Sequence, residues 1–218
     1  MSFPFTRTEF FDVFEQYNQA VWPAQIGLNL VALSCIFLLF YKRPIKNSAI
    51  STGLVLLWLW MGVIYHFVFF SGINRAAILF GALFVLQSFL FFWFGVLKGQ
   101  LEFRLNGRWS IASGSVLLLY ALIFYPLTAY LVGHRYPAVP TFGLPCPTTI
   151  FTLGMLVFAK SPIPRTVWII PIIWTLIGSM AAFQLGVYED FGLLLAGIIG
   201  VFVVLNTLLI RKPQTSNF

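Results

Sequence analysis

Residues Val21–Tyr41 read VWPAQIGLNLVALSCIFLLFY, without one charged side chain, and Lys42-Arg43-Pro44 follows directly. As a helix, a stretch of this length crosses about 30 Å of hydrocarbon. An apolar run that stops at two cations reads as a membrane span ending in a basic turn. The same reading extends outward to Ala49–Ser71, Ala76–Leu97, Ser110–Leu131, Pro137–Ala159, Thr166–Val187 and Phe191–Ile210. Apolar residues make up 60% of the 218-residue chain and charged residues 9%, against about 45–50% and 25% in soluble domains. The alternating segments of about ten residues that build a membrane barrel are absent. Lipid cannot satisfy an open backbone, so the spans are predicted to be helices. The predicted fold class is all-α: a polytopic membrane bundle of seven transmembrane helices.

The fifth span departs from the pattern. Its first half, PAVPTFGLPCP, carries Pro137, Pro140, Pro145 and Pro147, and only Thr148–Ala159 reads as uninterrupted helix. At about 1.5 Å per residue that is too short to cross alone. It is either a short helix with an irregular, protein-buried entry or a re-entrant segment of a six-span protein. Charge favours a crossing. Lys42, Arg43, Lys46, Lys98, Arg104, Arg108, Lys160, Arg165, Arg211 and Lys212 fall on one set of alternate turns, and only Arg7, Arg75 and Arg135 on the other. Basic turns face the cytoplasm, and the alternation holds only if the fifth segment crosses. The expected topology has the N-terminus outside and the C-terminus in the cytoplasm. Glu9, Asp12, Glu15, Glu189 and Asp190 then lie outside and Glu102 inside. The net charge of +7 follows from this topology and implies anionic lipid as neighbour, not nucleic acid.

No basic region precedes a short apolar core at the start, so no cleavable signal peptide is expected. Thr6-Arg7-Thr8-Glu9 has the spacing of a capping box, with Phe5 and Phe10 placed as a hydrophobic staple. Phe10, Phe14, Tyr17 and Val21 recur at helical spacing. Residues 1–20 are therefore predicted to form an outer amphipathic helix, lying on the lipid surface or packed over the outer mouth of the bundle. Residues 21–210 form the transmembrane domain, and 211–218 a cytoplasmic tail.

An internal repeat is also legible. Phe40-Tyr41-Lys42-Arg43-Pro44-Ile45 matches Phe158-Ala159-Lys160-Ser161-Pro162-Ile163; Trp58 and Gly62 match Trp174 and Gly178; Gly81 before Gln87-Ser88 matches Gly200 before Asn206-Thr207. These pairs are colinear, with nearly equal offsets. They suggest parallel repeats over 21–97 and 137–210 joined by a linker helix, 110–131. The alternative is chance recurrence at membrane borders. The three-one-three layout, with Pro23, Pro44, Pro145 and Pro162 near span ends, resembles sugar facilitators of the SWEET type. That resemblance is architectural and carries no site residues. The stretch Pro140–Gly154, PTFGLPCPTTIFTLG, together with the opening FTRTEFFDVFEQYNQAVWPAQ, resembles a family of bacterial multi-pass membrane proteins known only as a domain of unknown function. The resemblance implies a membrane location and no particular activity.

Candidate sites fall into two groups. The first is a polar path through the spans. No Asp, Glu, Lys or Arg lies in a span core, which argues against a carboxylate-driven proton pump, and span seven has no lysine for a retinal Schiff base. His66, Asn29, Gln87 and Asn206 are the polar residues that a neutral solute would meet. His66 reads as a proton-sensitive gate or as an interhelical hydrogen bond, and the others equally as helix-pairing contacts. Gly192, Ala196 and Gly200 form a packing stripe. The second group lies outside: Cys146, His134, Arg135, Glu189 and Asp190. Pro147 suits the first helical position, which places Cys146 at the N-cap, where a helix terminus favours a thiolate. A proline turn entering a helix accounts for the motif equally well. The spacing is not that of a zinc site, so no metal ligands are assigned, and no cofactor is implied. Cys35 and Cys146 are placed too far apart for a disulfide. Trp22, Trp109 and Trp168 fit interfacial anchors.

The function expected first is a small facilitator or channel for a neutral small molecule. The second is a non-catalytic subunit or assembly factor partnered by other membrane subunits. An intramembrane enzyme ranks last, since the chain has two histidines and no His/acid ligand motif.

Overall fold

The computed structural model describes residues 4–105, 107–160 and 162–210. The tail at 211–218, with Arg211 and Lys212, lies outside the described residues, as does Ser161 of the repeat motif. The regular structure of the described residues is helical, apart from two isolated bridges. Helix α1 spans Arg7–Val21 and α2 spans Ala24–Leu39, meeting at an 88° bend around Trp22 and Pro23. Helices α3 (Ile45–Gly72), α4 (Ala76–Leu97) and α5 (Arg108–Leu131) follow. Then come α6 (Pro145–Val157), α7 (Thr166–Leu185) and α8 (Phe191–Ile210).

Among the described residues five helices are long and apolar enough to cross a membrane, six if the bent pair α1–α2 counts as one span. The continuous span drawn at Val21–Tyr41 is broken: α1 ends at Val21, and α2 keeps 16 residues. The span drawn at Pro137–Ala159 is helical only over the 13 residues of α6, about 20 Å long at 1.5 Å per residue.

Helix α6 is short yet central. Every residue from Pro147 to Val157 is buried, with α5, α7 and α8 packed around it. Trp58 Nε1 of α3 donates to Thr152 Oγ1 at 2.9 Å, and Ser110 Oγ of α5 donates to Val157 O at 2.9 Å. The non-helical entry to α6 is likewise held by protein. Non-helical backbone at membrane depth is tolerated only under such cover. Asn18, fully buried on α1, supplies most of it. Its Nδ2 donates to Pro137 O at 2.6 Å and Val139 O at 2.7 Å. Its Oδ1 accepts from Gln25 Nε2 at 2.6 Å and Thr141 Oγ1 at 2.9 Å.

The turns gather by charge. At one end, Phe103 N donates to Asn47 Oδ1 at 2.9 Å and Lys160 N to Glu102 O at 2.7 Å. Lys42, Arg43, Lys46 and Arg104 border one groove there. Arg104 hydrogen-bonds the Glu102 carboxylate, and Lys160 Nζ lies 3.5 Å from it. Those two cations, Arg104 foremost, hold the Glu102 carboxyl below its usual range. Both pairs are half exposed and contribute little stability. At the opposite end, α1 meets the C-terminal end of α3 through Phe10 and Phe70, His134 beyond α5 through Phe11, and Gly186 at the end of α7 through Arg7.

Small residues allow the closest contacts, as expected where lipid offers no hydrophobic drive between helices. From Met61 to Phe69, α3 widens into π-helical turns. There Gly62 lies so near α4 that a Cβ would sit 2.9 Å from Gly81 O. The Gly192 stripe on α8 faces inward, where a Cβ would strike the Tyr120 ring. The two proposed repeats pack differently: α6, α7 and α8 all touch one another, whereas α2 and α4 each pack on α3.

Candidate functional site

The α1 helix forms because its first turn is satisfied by its own side chains. Thr6 Oγ1 accepts from Glu9 N at 3.2 Å, and Glu9 Oε2 accepts from Thr6 N at 2.7 Å. The Thr6 backbone N–H, and then its hydroxyl, hold the exposed Glu9 carboxyl below its usual range. Phe5 and Phe10 stack at 5.7 Å, the staple that their spacing implied. Of the two placements open for this helix, the structure has it over the mouth of the bundle. Phe10, Val13, Phe14, Tyr17 and Val21 are buried. Phe10 meets Phe70 at 5.9 Å, and Tyr17 meets Tyr65 and Phe69 at 5.7 and 5.5 Å. Trp60 Nε1 donates to Tyr17 Oη at 2.8 Å. Burying one such side chain stabilises by about 1.5–3 kcal/mol at most, so the stripe holds α1 firmly.

Beneath α1 is a chamber of about 250 Å³. Phe10 and Phe14 form its roof, Tyr65, Phe70 and Phe80 its walls, and Trp174 part of its floor. An engineered apolar cavity of about 150 Å³ admits benzene, so this chamber has room for roughly ten to twelve non-hydrogen atoms.

Several of its polar groups gather around Asp190, while Asn74 lines it from the turn after α3. Tyr125 Oη of α5 donates to Asp190 Oδ1 at 2.5 Å. The Cys146 thiol is a second polar neighbour of that carboxylate, and its open side faces the chamber. The Trp174 indole N–H is near the same sulfur but makes no hydrogen bond of normal geometry. Asp190 belongs to the turn Tyr188–Asp190, in which it and Glu189 are buried while Tyr188 is exposed. Its neighbour Glu189 is fully buried: Oε1 lies 2.8 Å from His134 Nδ1, and Oε2 has no partner among the described residues. Tyr120 Oη donates to Glu189 O at 2.8 Å.

The five outer residues named from sequence thus separate. Cys146 and Asp190 line the chamber, and Glu189 with His134 forms a pair beside it. Arg135 turns away, stacked 3.8 Å over the Tyr130 ring and donating to Tyr130 O. One position is corrected. The N-cap of α6 is Leu144, which places Cys146 second in the helix, after Pro145. The reason is that Pro145 itself suits a first helical position. The thiol there faces a carboxylate, the opposite of a thiolate-stabilising setting.

The four residues of the polar path occupy separate places. His66 is fully buried, with neither ring nitrogen hydrogen-bonded, against Phe84 at 4.7 Å and Trp174 at 5.3 Å. Gln87 Nε2 donates across to Val167 O of α7 at 2.9 Å. Asn29 Nδ2 returns to Gln25 O of its own helix at 2.8 Å. Asn206 is half-buried on α8. Between the chamber and the opposite end, Trp58 packs on Phe84 at 4.5 Å and on Phe91 at 6.2 Å, and all three rings are fully buried. Among the described residues no group of three or more His, Cys, Asp and Glu side chains could hold a metal ion.

Tyr125 and the hub Asn18 were not singled out from sequence, and Trp174 was named only as a repeat marker. Asn18 carried a signal, being a polar residue beside Tyr17 and four after Phe14, within an otherwise apolar stripe. Tyr125 carried none, because its partner is 65 positions away.

A bundle of apolar helices of membrane-crossing length is the architecture of a membrane protein. The chain belongs to a family of unknown function, DUF6064, whose model matches residues 7–214. No curated protein and no solved structure matches it.

Proposed function

We propose that the chain is a seven-span protein of the bacterial inner membrane that captures a small, largely apolar molecule in the chamber beneath α1. In this reading α2 and α6 are the two shorter spans. The N-terminus and α1 face outside, and the basic turns face the cytoplasm. The observation that carries the proposal is the chamber itself. It is lined mainly by aromatic and aliphatic side chains, with a few polar groups, among them the hydrogen-bonded pair Tyr125 and Asp190, and buried rings pack beyond it. Pockets of this make-up bind small molecules. Transfer of the captured molecule to the cytoplasm, the facilitator role, requires the Trp58–Phe84–Phe91 layer to part.

Ala181 lines the chamber, and a tryptophan there fills it. With naphthalene at ten times its Kd, the thermal midpoint of the wild-type protein should rise by about 3–6 °C. Ala181→Trp should show no rise. Because the detergent is the same, this comparison separates chamber binding from partition into the micelle. Equal shifts in the two proteins, or none in wild type, would remove the proposal.

A further inference from the structure

The charges around the chamber do not balance. Glu189 and Asp190 are both buried, and the basic side chain paired with them is His134, which Glu189 takes. Arg7 packs against Phe11 and beside Gly186, while Arg135 stacks on Tyr130. Among the described residues no Lys, Arg or His forms an ion pair with Asp190. Even with His134 protonated, one carboxylate keeps no counter-charge. The Tyr125 hydroxyl donates to Asp190 Oδ1 at 2.5 Å, a contact that brings no positive charge to it. A carboxyl group buried without a cation favours its neutral form, and a cation bound beside it holds it ionised.

That carboxylate lines a chamber walled by aromatic rings. Tyr65 and Phe70 lie 5.5 Å apart on one side, and Phe80 and Trp174 lie 5.4 Å apart on another. Rings around a cavity attract a cation through their quadrupoles, and the attraction grows once water is excluded. Apolar walls, aromatic faces and a single anionic group together specify a compact organic cation with an apolar body.

We propose that the molecule bound in the chamber is a lipophilic monoamine or quaternary ammonium ion, with its nitrogen near Asp190 and its apolar part against Phe10, Phe14 and Phe70. This rests on the reading that the chamber binds a small molecule, and it names the class. It revises the expectation of a neutral solute. That expectation followed from the absence of charge in the span cores, whereas the fold buries an acid at the end of one.

Two probes of one shape separate the possibilities. Benzyltrimethylammonium and neopentylbenzene differ only in a quaternary nitrogen replacing a quaternary carbon, and each has a size that the chamber admits. Their affinities are measured by equilibrium dialysis against protein in lipid nanodiscs, with empty nanodiscs subtracted. The ammonium is expected to bind wild type, and Asp190→Asn should lower the ammonium-to-neutral affinity ratio tenfold or more. Trp174→Leu, which leaves the carboxylate in place, should lower that ratio at least threefold and serves if the Asn protein does not fold. Binding of neopentylbenzene alone, or ratios unchanged in the variants, overturns the cation assignment and leaves the chamber reading standing. Failure of both probes to bind wild type removes the chamber reading itself.

Discussion

Asn18→Ala is expected to be the most destabilising single change in the α1 region, lowering unfolding stability by about 3 kcal/mol or more. The side chain is fully buried and makes four hydrogen bonds within 2.9 Å, two of them to the carbonyls of Pro137 and Val139. Alanine leaves both carbonyls without their donor, and a buried polar group left unpaired costs about 1–3 kcal/mol. The loss spreads further. Gln25 and Thr141 keep only each other, at 2.9 Å, and the entry to α6 loses its tie to the α1–α2 elbow. Asn18→Asp is expected to fail as well, because a carboxylate cannot donate to two carbonyls. Chemical unfolding in detergent, followed by tryptophan fluorescence, reads the effect. A loss under 1 kcal/mol would show that the entry segment holds its shape without the hub.

His134→Ala is expected to cost about 3–5 kcal/mol, the range for removing one member of a buried pair. Glu189 is fully buried, and its second oxygen already lacks a partner among the described residues. Without His134 neither oxygen has one. The His134 ring also packs on Phe11 at 4.6 Å, so alanine loosens α1 too. The pair term is separated by a double-mutant cycle. If the cost lies in the stranded carboxylate, Glu189→Gln should recover at least 1 kcal/mol in the His134→Ala background and none in the wild-type background. Additive single changes would assign the whole loss to packing on Phe11.

Much of the helical plan was legible before the fold, for physical reasons. Charge-free runs of about 20 residues admit few other structures, and Thr6-x-x-Glu9 with Phe10, Phe14 and Tyr17 specified α1, its cap and its buried stripe. The prolines at 137, 140, 145 and 147 foretold a short α6. Its central position was hidden, because hydropathy does not distinguish a face packed on lipid from one packed on protein. Thr148, Thr149, Thr152 and Gly154 were the available signal: small and hydroxylated residues mark helix contacts in membranes, and here all four are buried. The outer site was legible in part. Cys146 and Asp190 were named, but that they face a common chamber with Trp174 depends on α1 roofing it and on Tyr125 arriving from α5. Neither relation has a sequence period. The acids at 189 and 190 read as loop because a charge beside a span usually meets water, and only tertiary cover buries them.

Xenon tests the chamber most directly, since it enters apolar cavities and needs no assumption about ligand charge. In crystals of the protein under xenon pressure, the account predicts an anomalous peak between Phe14, Tyr65, Phe70 and Trp174, lost in Ala181→Trp. A space there filled by side chains, with xenon found only at the lipid-facing surface, would contradict it.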